Sequence, residues 1–153
     1  MLIYLEDLEQ ARWDLWKKKK IVGFTSGCFD ILHFGHLHVL QEAKKHCDVL
    51  IVAVNTNDSV RQLKGIYRPI NDATDRAALI AGLKPVDYVI YNPGLNNNLL
   101  IKMLKPDVYV KSGEYETTST SAEIITEQGG KNVFIPVLPG YSSSKIMEKI
   151  KKC

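Results

Sequence analysis

The sequence predicts an α/β protein built on a doubly wound parallel sheet of about five strands, in a single domain spanning residues 1–153. Short apolar runs of strand length alternate with helical patterns along the chain, which is typical of parallel sheets covered by helices on both faces. A length of 153 residues suits one hydrophobic core better than two. The hydrophobic fraction of 45% and charged fraction of 24% exclude a disordered chain, collagen and a coiled-coil rod.

The first part of the chain predicts a strand–helix–strand unit. A helix near the N-terminus is indicated by one face that carries Leu5, Leu8, Arg12 and Leu15. The first strand is expected at residues 21–25 and is followed by a turn of small residues. The next helix is marked by the helical spacing of Leu37, Leu40 and Ala43. Residues 49–54 are apolar throughout, as expected for a strand buried on both faces.

The alternation continues towards the C-terminus. Asp72 is a candidate N-cap for a helix that continues through Asp75, Ala78, Leu79 and Leu83. Further strands are expected at residues 86–90, 107–111 and 132–137. Further helices are expected at residues 99–104, 122–128 and 142–151, the last with Ile146 and Ile150 facing inward. Parallel strands connected by helices in this way form right-handed crossovers.

The charge balance favours a small anionic ligand over a nucleic acid. Twenty Lys and Arg against seventeen Asp and Glu give a net charge of +3, and no basic stripe carries interleaved aromatic residues. The N-terminus lacks a signal-peptide pattern, and the apolar runs are too short for a membrane span, so a cytoplasmic protein without membrane contact is expected. Three cysteines without a CxxC spacing predict reduced thiols rather than disulfides or a zinc finger.

The segment after the first predicted strand has the richest chemistry. It runs from Thr25 to His36 and contains a small-residue turn followed by two histidines around a glycine. Ligands of such sheets bind beyond the carboxyl ends of the strands. A turn at Gly27 brings backbone N–H groups close to an anion, and a helix N-terminus adds a favourable dipole. With Gly35 leaving room for a phosphate, His33 and His36 then donate hydrogen bonds to the phosphate oxygens.

Two other interpretations of these histidines stay open at this point. Each imidazole by itself fits a helix-capping or partly exposed side chain. A metal site is the second alternative, because His33, His36 and His38 form an HxxHxH pattern. No carboxylate or cysteine completes a convincing ligand set, so we expect no metal bound directly by the protein.

The same segment resembles the HxGH signature of the nucleotidyltransferase superfamily that includes the cytidylyltransferases, whose fold is Rossmann-like. A narrower resemblance, to the adenylyltransferase domain of ADP-heptose synthase, runs from Leu5 to Ile150. Its motifs, in chain order, are Leu-Glu-Asp-Leu, Gly-Cys-Phe-Asp-Ile-Leu-His-Phe-Gly-His, Val-Ala-Val-Asn, Leu-Lys-Gly, Arg-Pro-Ile-Asn, Asp-Arg-Ala, Val-Asp-Tyr-Val, Lys-Pro-Asp-Val and Gly-Tyr-Ser. The resemblance implies transfer of a nucleoside monophosphate to a sugar phosphate, with ATP and heptose 1-phosphate as the leading pair.

The resemblance also assigns roles to residues. The catalytic set, which holds the triphosphate and stabilises the transition state, is His33, His36, Lys64 and Arg76. The nucleotide-binding set is Thr25, Ser26, Gly27, Cys28, Phe29, Gly35, Lys111, Gly113, Glu114, Tyr141, Ser142, Ser143 and Ser144. The acceptor-binding set is Asp30, Asn55, Asn57 and Arg68. Mg²⁺ is expected to be bound through the nucleotide phosphates, and catalysis to need no nucleophilic side chain.

The residues alone also allow plainer roles. Lys64 and Arg76 fit solvated side chains, although Gly65 and Arg68-Pro69 favour placing Lys64 in a functional loop rather than on a helix. An anionic partner would explain Arg76 in the first turn of a helix, where the dipole favours acids. The segment after residue 110 also fits an ordinary strand exit, and the serines after Tyr141 fit a helix cap.

The chain departs from the ADP-heptose synthase pattern at four positions. Ser26, Asn57, Ser112 and Glu114 stand where the family usually has Asn, Asp, Gly and Asp. All four are expected to line the pocket, and the missing carboxylate at Asn57 predicts a changed pattern of acceptor hydroxyls.

Other functions and assemblies also stay open. One is a cytidylyltransferase acting on glycerol 3-phosphate or another polyol or sugar phosphate, and another is a non-catalytic nucleotide-binding module. A homodimer is possible, with Trp13 and Trp16 at an interface or in the core. The length has no room for a kinase domain, so a heptose acceptor would be phosphorylated by another protein.

Overall fold

The computed structural model describes residues 1–113 and 119–153. A 3₁₀ turn at Leu5–Asp7 opens the chain. The strands are β1 (Val22–Gly27), β2 (Val49–Asn55), β3 (Tyr88–Asn92), β4 (Val108–Ser112) and β5 (Lys131–Ile135). The helices are α1 (Leu8–Lys17), α2 (Phe34–Lys44), α3 (Asn57–Lys64), α4 (Ala73–Ala81), α5 (Asn98–Leu104), α6 (Thr120–Glu127) and α7 (Ser143–Ile150). Within the described ranges, no helix is long and apolar enough to cross a membrane.

The five strands form one sheet in the order β3-β2-β1-β4-β5, and every pairing is parallel. The chain moves outward from β1 to β3 and then returns to the other side of β1 with β4. A cleft therefore opens at the carboxyl end of β1, where the two connections diverge. The predicted fold class, a doubly wound Rossmann-like parallel sheet of about five strands, is confirmed.

Two apolar layers cover the sheet. On one face, α1, α5 and α6 pack through Leu8, Ile101 and Ile125 against Phe24 and Ile51. On the other face, α2 and α4 pack through residues such as Leu40 and Ile80 against alternate positions of β2. All seven residues of β2 are buried, which explains why its sequence is apolar without the alternation of a half-exposed strand.

The amino ends of three strands share one hydrogen-bonding pattern. Asp48, Asp87 and Asp107 each precede a strand, and the carboxylate of each accepts the backbone N–H of Ile21, Leu50 or Val22 at 2.8, 2.7 and 2.8 Å. The N–H of each aspartate donates to the carbonyl of that same residue. These double contacts fix where neighbouring strands begin relative to one another, and hence where their carboxyl ends meet.

Two helical predictions need correction. α3 has no counterpart in the sequence prediction, because its polar surface obscured the one apolar side chain, Val60, that is buried in the core. Ile150 is 64% exposed rather than inward-facing, and Ile146 is only partly covered. α7 has no fully buried residue, because it lies over the rim of the cleft instead of against the sheet.

Candidate active site

The cleft at the carboxyl end of β1 has a volume of about 500 Å³. It is bounded by the ends of β1, β2 and β4, the first turns of α2 and α7, and the last residue of α3. The predicted site residues that line it are Thr25, Ser26, Gly27, Cys28, Phe29, Asp30, His33, Gly35, His36, Asn55, Lys64, Arg68, Tyr141, Ser142, Ser143 and Ser144. Asn57, Arg76, Lys111 and Gly113 do not line it, and Glu114 lies outside the described residues.

The two histidines of the motif stack on one another at the start of α2. His33 is the N-cap residue of α2, and His36 follows about one helical turn later. The centroids of the two imidazole rings are 3.8 Å apart, and the ring planes differ by 19°. The edge of Phe29, 5.2 Å away, supports His36 from the strand side. A helix start followed by an HxxH spacing therefore turns both imidazoles towards the same part of the cleft.

Electrostatics keep both imidazoles neutral at physiological pH. Burial, the neighbouring His33 and the Lys64 ammonium together lower the pKa of His36 to about 4, with burial the largest cause. Burial also lowers the pKa of His33. The Nδ1 atoms of both rings are buried without a hydrogen-bond partner. Such buried nitrogens cannot reach a ligand directly, so any contact of the two rings with a ligand is made through their other atoms.

Gly35 serves a different purpose from the predicted one. A Cβ at this position would lie 2.9 Å from the Tyr141 Cβ and 3.0 Å from the His33 Nδ1. The space beside the glycine is therefore occupied by protein, not kept open for a phosphate. Gly35 lets the loop before α7 approach α2 closely, and it allows the His33 ring to fold back over the helix.

Asp30 holds the loop above the cleft rather than reaching into it. The side chain is 2% exposed, and its Oδ1 accepts the N–H groups of Ile70 and Asn71 at 2.7 and 2.9 Å. The Arg68 Nε donates to the other carboxylate oxygen, and the Arg68 guanidinium also contacts the Met147 sulfur. Because both carboxylate oxygens are engaged, the structure does not support a direct acceptor-binding role for Asp30.

Arg76 is also a correction to the sequence prediction. Its side chain has no exposed surface, and the guanidinium donates to the carbonyls of Asn71 and Cys28 at 2.9 and 2.6 Å and to the Asn57 Oδ1 at 3.0 Å. Burial lowers the pKa of this guanidinium. Arg76 therefore connects α4 to the loop after β1, at Cys28, and acts as a positioning residue. Its charge does not face the cleft.

Asn57 lies behind the wall of the cleft as well. Its Oδ1 accepts from the Ala73 N–H and from Arg76, and its Nδ2 donates to the Asp72 carboxylate at 2.8 Å. Asp72 is the N-cap residue of α4, but its side chain pairs with Asn57 instead of capping the helix. The expectation that Asn57 lines the pocket and reads acceptor hydroxyls is wrong, because its amide joins α3 to α4.

Lys64 lines the cleft, as Arg68 also does, but it is not paired with Asp30. It is the last residue of α3, which corrects the predicted loop position, and Gly65 ends the helix with φ +96°. Lys64 lines the cleft and interacts electrostatically with both His36 and Cys28. Burial raises the pKa of the Cys28 thiol, which leaves it a neutral packed side chain, as the sequence suggests.

The first turn of α7 forms the far wall. The Ser142 Oγ caps the helix by accepting the Lys145 N–H at 3.2 Å, and the Ser143 hydroxyl donates to the Ile31 carbonyl at 3.3 Å. These hydroxyls therefore act in capping and in docking α7, and they still line the cleft. Tyr141 packs edge-on against Phe34 at 5.4 Å.

Sequence reasoning missed some of the cleft wall. Val39, Val137 and Leu138 line the cleft. The Asn71 side chain donates a hydrogen bond to the Asp30 carbonyl in the loop above it. Val137 and Leu138 follow β5 directly, so the rule that loops after strands form the site could have found them. Ser26 and Ser112 line the cleft as predicted, although Lys111 beside Ser112 does not.

Comparison with known proteins identifies the family to which this site belongs. The cytidylyltransferase-like family model matches residues 24–149, which include the histidine pair, Lys64 and the start of α7. The chain belongs to the cytidylyltransferase-like family. The predicted resemblance to HxGH nucleotidyltransferases is thereby confirmed.

Members of this family with similar sequences include proteins named Bifunctional protein HldE. The chain is 44% identical to that of Nitratiruptor sp. over 97% of its own length and 31% of the relative's. It is 48% identical to that of Sulfurimonas denitrificans over 87% of its own length and 27% of the relative's. The chain thus spans about a third of the length of these curated relatives.

Solved structures share the fold of this chain. A lipopolysaccharide core biosynthesis protein from Thermoplasma volcanium superposes with a TM-score of 0.63 at 33% identity, covering 78% of this chain and 97% of that one. Pantothenate synthetase from Thermus thermophilus reaches a TM-score of 0.63 at 16% identity, over 99% of this chain and 70% of that one. The second likeness is one of fold alone.

Proposed function

We propose that this protein is a nucleotidyltransferase that joins the nucleoside monophosphate of ATP to a sugar phosphate, heptose 1-phosphate, with release of pyrophosphate. The observation that carries the proposal is the stacked, neutral His33–His36 pair, which lines the cleft at the carboxyl end of β1. Each neutral imidazole has one N–H to donate to a phosphate oxygen as negative charge grows on it.

Other residues of the cleft complement a triphosphate. The end of β1 at Gly27 runs into a loop whose backbone faces the cleft, and the N-terminus of α2 adds a favourable dipole. Lys64 adds a positive charge on the opposite side. In our proposal this lysine offsets charge on the phosphates, while the histidines meet the oxygens of the reacting phosphorus.

The reaction is an in-line displacement. An oxygen of the sugar phosphate forms a bond to the α-phosphorus of ATP, and the bond from that phosphorus to the oxygen bridging to the β-phosphate breaks. Pyrophosphate leaves with the electron pair of the broken bond. Positioning and charge compensation are sufficient for this step, so no covalent enzyme intermediate is proposed.

We propose that Mg²⁺ binds together with the nucleotide. In the described part of the chain, no three His, Cys, Asp or Glu side chains are grouped to hold a metal ion. The Asp30 carboxylate, although at the cleft, is taken up by Arg68, Ile70 and Asn71. The phosphates are therefore the proposed ligands of the ion, whose charge would assist the departure of pyrophosphate.

The choice of ATP and heptose 1-phosphate rests on similarity. The motifs that resemble the adenylyltransferase domain of ADP-heptose synthase run from Leu5 to Ile150, and relatives named Bifunctional protein HldE match at 40–48% identity. A solved relative is named for lipopolysaccharide core biosynthesis. Transfer from CTP to glycerol 3-phosphate is the alternative, which the family model itself leaves open.

Pyrophosphate release tests the proposal directly. The purified protein with Mg²⁺ is incubated with each of ATP, CTP, GTP and UTP, crossed with heptose 1-phosphate, glycerol 3-phosphate and other sugar phosphates. We expect turnover with ATP and heptose 1-phosphate that His36→Ala abolishes. His46→Ala is the matched control, because His46 is exposed just beyond the other end of α2 and should keep full activity.

The alternative outcomes are distinct. Turnover with a different pair keeps the proposed mechanism but overturns ATP or heptose as substrate. Binding of a triphosphate without pyrophosphate release from any pair overturns the enzymatic proposal, and it points to a nucleotide-binding module.

A further inference from the structure

The Asn55 side chain at the end of β2 has a fixed orientation in the wall of the cleft. Asn55 is 6% exposed and lines the cleft between the ends of β1 and β3. Its Nδ2 donates to the Ser59 Oγ at 2.7 Å and to the Gly94 carbonyl at 3.3 Å. Both hydrogens of the amide group are therefore used inside the protein.

The donors and acceptors around Asn55 exclude the flipped amide. The Gly94 carbonyl can only accept hydrogen bonds, so the Asn55 atom that faces it must be the nitrogen. The single hydroxyl hydrogen of Ser59 is also directed at the Gly94 carbonyl, at 2.7 Å. Ser59 must then accept from Asn55, and its 1% exposure keeps water from changing this arrangement.

A second set of contacts holds the Gly94 carbonyl in place. The Gly94 N–H donates to the Asn92 Oδ1 at 3.0 Å, and the Asn92 Nδ2 donates to the Asn97 Oδ1 at 3.0 Å. Asn97 in turn donates to the buried Tyr109 hydroxyl at 3.0 Å. The orientation of Asn55 is thus anchored through β3 to β4, across the sheet.

From this arrangement we infer that Asn55 is a specificity-determining residue that offers the cleft only a hydrogen-bond acceptor, its Oδ1. An acceptor repels a phosphate oxygen and attracts a hydroxyl hydrogen. Asn55 therefore selects a hydroxyl group of a bound substrate. The inference rests on the proposed function, in which both substrates, the nucleotide and the sugar phosphate, carry hydroxyls.

The contrast with the rest of the cleft supports this assignment. Lys64, His33 and His36 supply a cation and N–H donors, which suit phosphate oxygens. Asn55 is the opposite kind of group, fixed by its partners at the carboxyl end of β2. A ligand bound with its phosphates at the histidines and a hydroxyl at Asn55 forms favourable hydrogen bonds at both places. A ligand bound in the opposite direction would form neither.

Deoxy substrates test the inference. Pyrophosphate release is measured for the parent pair and for analogues that each lack one hydroxyl, first on the nucleotide ribose and then on the sugar phosphate. In the unmodified protein, removal of one particular hydroxyl should lower kcat/KM roughly tenfold. In Asn55→Ala the same removal should cost nothing further, and the substrate that carries the hydroxyl identifies its source.

Two variants separate this role from a structural one. Asn55→Asp keeps an acceptor oxygen towards the cleft but places a second oxygen against the Gly94 carbonyl, so it should lower the absolute rates and preserve the ratio of parent to deoxy turnover. Asn57→Ala alters an asparagine behind the wall and should lower both rates by the same factor, so the ratio stays that of the unmodified protein. If Asn55→Ala does not fold, Asn55→Ser replaces it in the same comparison.

The outcomes that overturn the inference differ from those that overturn the function. Equal turnover of every deoxy analogue by the unmodified protein, or the same deoxy penalty in Asn55→Ala, overturns the role of Asn55 while the nucleotidyltransferase activity stands. No pyrophosphate release from any substrate pair overturns the proposed function and this inference together.

Discussion

Two sets of polar side chains at opposite ends of the sheet differ in their hydrogen bonding. At the amino ends, the carboxylates of Asp48, Asp87 and Asp107 are each matched to a backbone N–H of a neighbouring strand. At the carboxyl ends, His33 and His36 keep buried nitrogens without a partner. The hydrogen-bonded aspartates stabilise the fold, whereas the histidines line the cleft in which we propose that the substrates bind. Stability and function are therefore separated along the strand direction.

The largest effect is expected at the carboxyl end. His36→Ala removes a donor to the reacting phosphate and should lower kcat roughly 100- to 1000-fold in the pyrophosphate assay. The free energy of unfolding in denaturant should change little, because lost packing against Phe29 is offset by removal of an unsatisfied nitrogen. A variant that is strongly destabilised but fully active when folded would contradict the division between the two ends.

The reverse result is expected at the amino end. Asp107→Ala deletes the acceptor for the Val22 N–H and the partner of Arg12, and should lower the free energy of unfolding by roughly 1–3 kcal/mol. The kcat of the folded fraction should stay unchanged. Asp14→Ala, on the exposed face of α1, is the control and should be nearly neutral. A loss of kcat with normal stability would show that the amino end also serves the chemistry.

Gly35 provides a further test of the comparison between the two ends of the sheet, because it lies in α2 and lines the cleft. Gly→Ala within a helix normally stabilises by roughly 0.5–1 kcal/mol. Here the added Cβ meets Tyr141 and His33, so Gly35→Ala should destabilise the protein and lower kcat/KM about tenfold by displacing the His33 ring. A variant that gains thermal stability and keeps its activity would refute the close approach of α7 to α2.

The pH dependence of stability provides a test without substrate. The pKa of His36 in the folded protein is about 4, below its ordinary 6.5, so the unfolded chain binds more protons between these values. Stability should therefore fall as the pH drops from 6.5 to 4, by roughly 1–2 kcal/mol once partial solvent screening is allowed for. Urea unfolding across this range should show a smaller slope in His36→Ala than in the unmodified protein. Equal slopes would contradict the buried neutral imidazole.

The smallest effect concerns the joint between α3 and α4. Asn57→Ala removes the acceptor for the Ala73 N–H and for Arg76, and should cost about 1 kcal/mol of unfolding free energy. Gln62→Ala, on the exposed face of α3, is the control and should lie within a few tenths of a kcal/mol of the unmodified protein. The reverse order of the two variants in thermal unfolding would contradict the contacts assigned to Asn57.

Much of the site was accessible from the sequence because local rules govern it. The turn at Gly27 and the HxxH spacing on a helix start place His33 and His36 beyond the end of β1 whatever surrounds them. The apolar run of β2 likewise identifies a buried strand. The resemblance to HxGH nucleotidyltransferases then named the family correctly.

The roles of other polar residues depended on contacts distant in sequence. Arg76 lies in the Asp-Arg-Ala motif and Asn57 replaces a residue of the family pattern, yet both side chains turn away from the cleft to meet the Cys28 carbonyl and the Ala73 N–H. Their spacing along the chain does not encode that direction. α3 was missed for a related reason, since a helix with one buried apolar residue, Val60, shows little hydrophobic periodicity.

The sequence by itself therefore determined the parallel sheet, the place of its ligand cleft and the histidine pair, because strand periodicity and helix starts act over a few residues. Only the tertiary structure decided which polar groups are consumed and which stay available to a ligand. Asn55 shows the reason most clearly: Ser59 and Gly94 use both hydrogens of its amide and leave only an acceptor. Hydrogen-bond capacity is limited, so the function of a polar side chain depends on what its neighbours have already used.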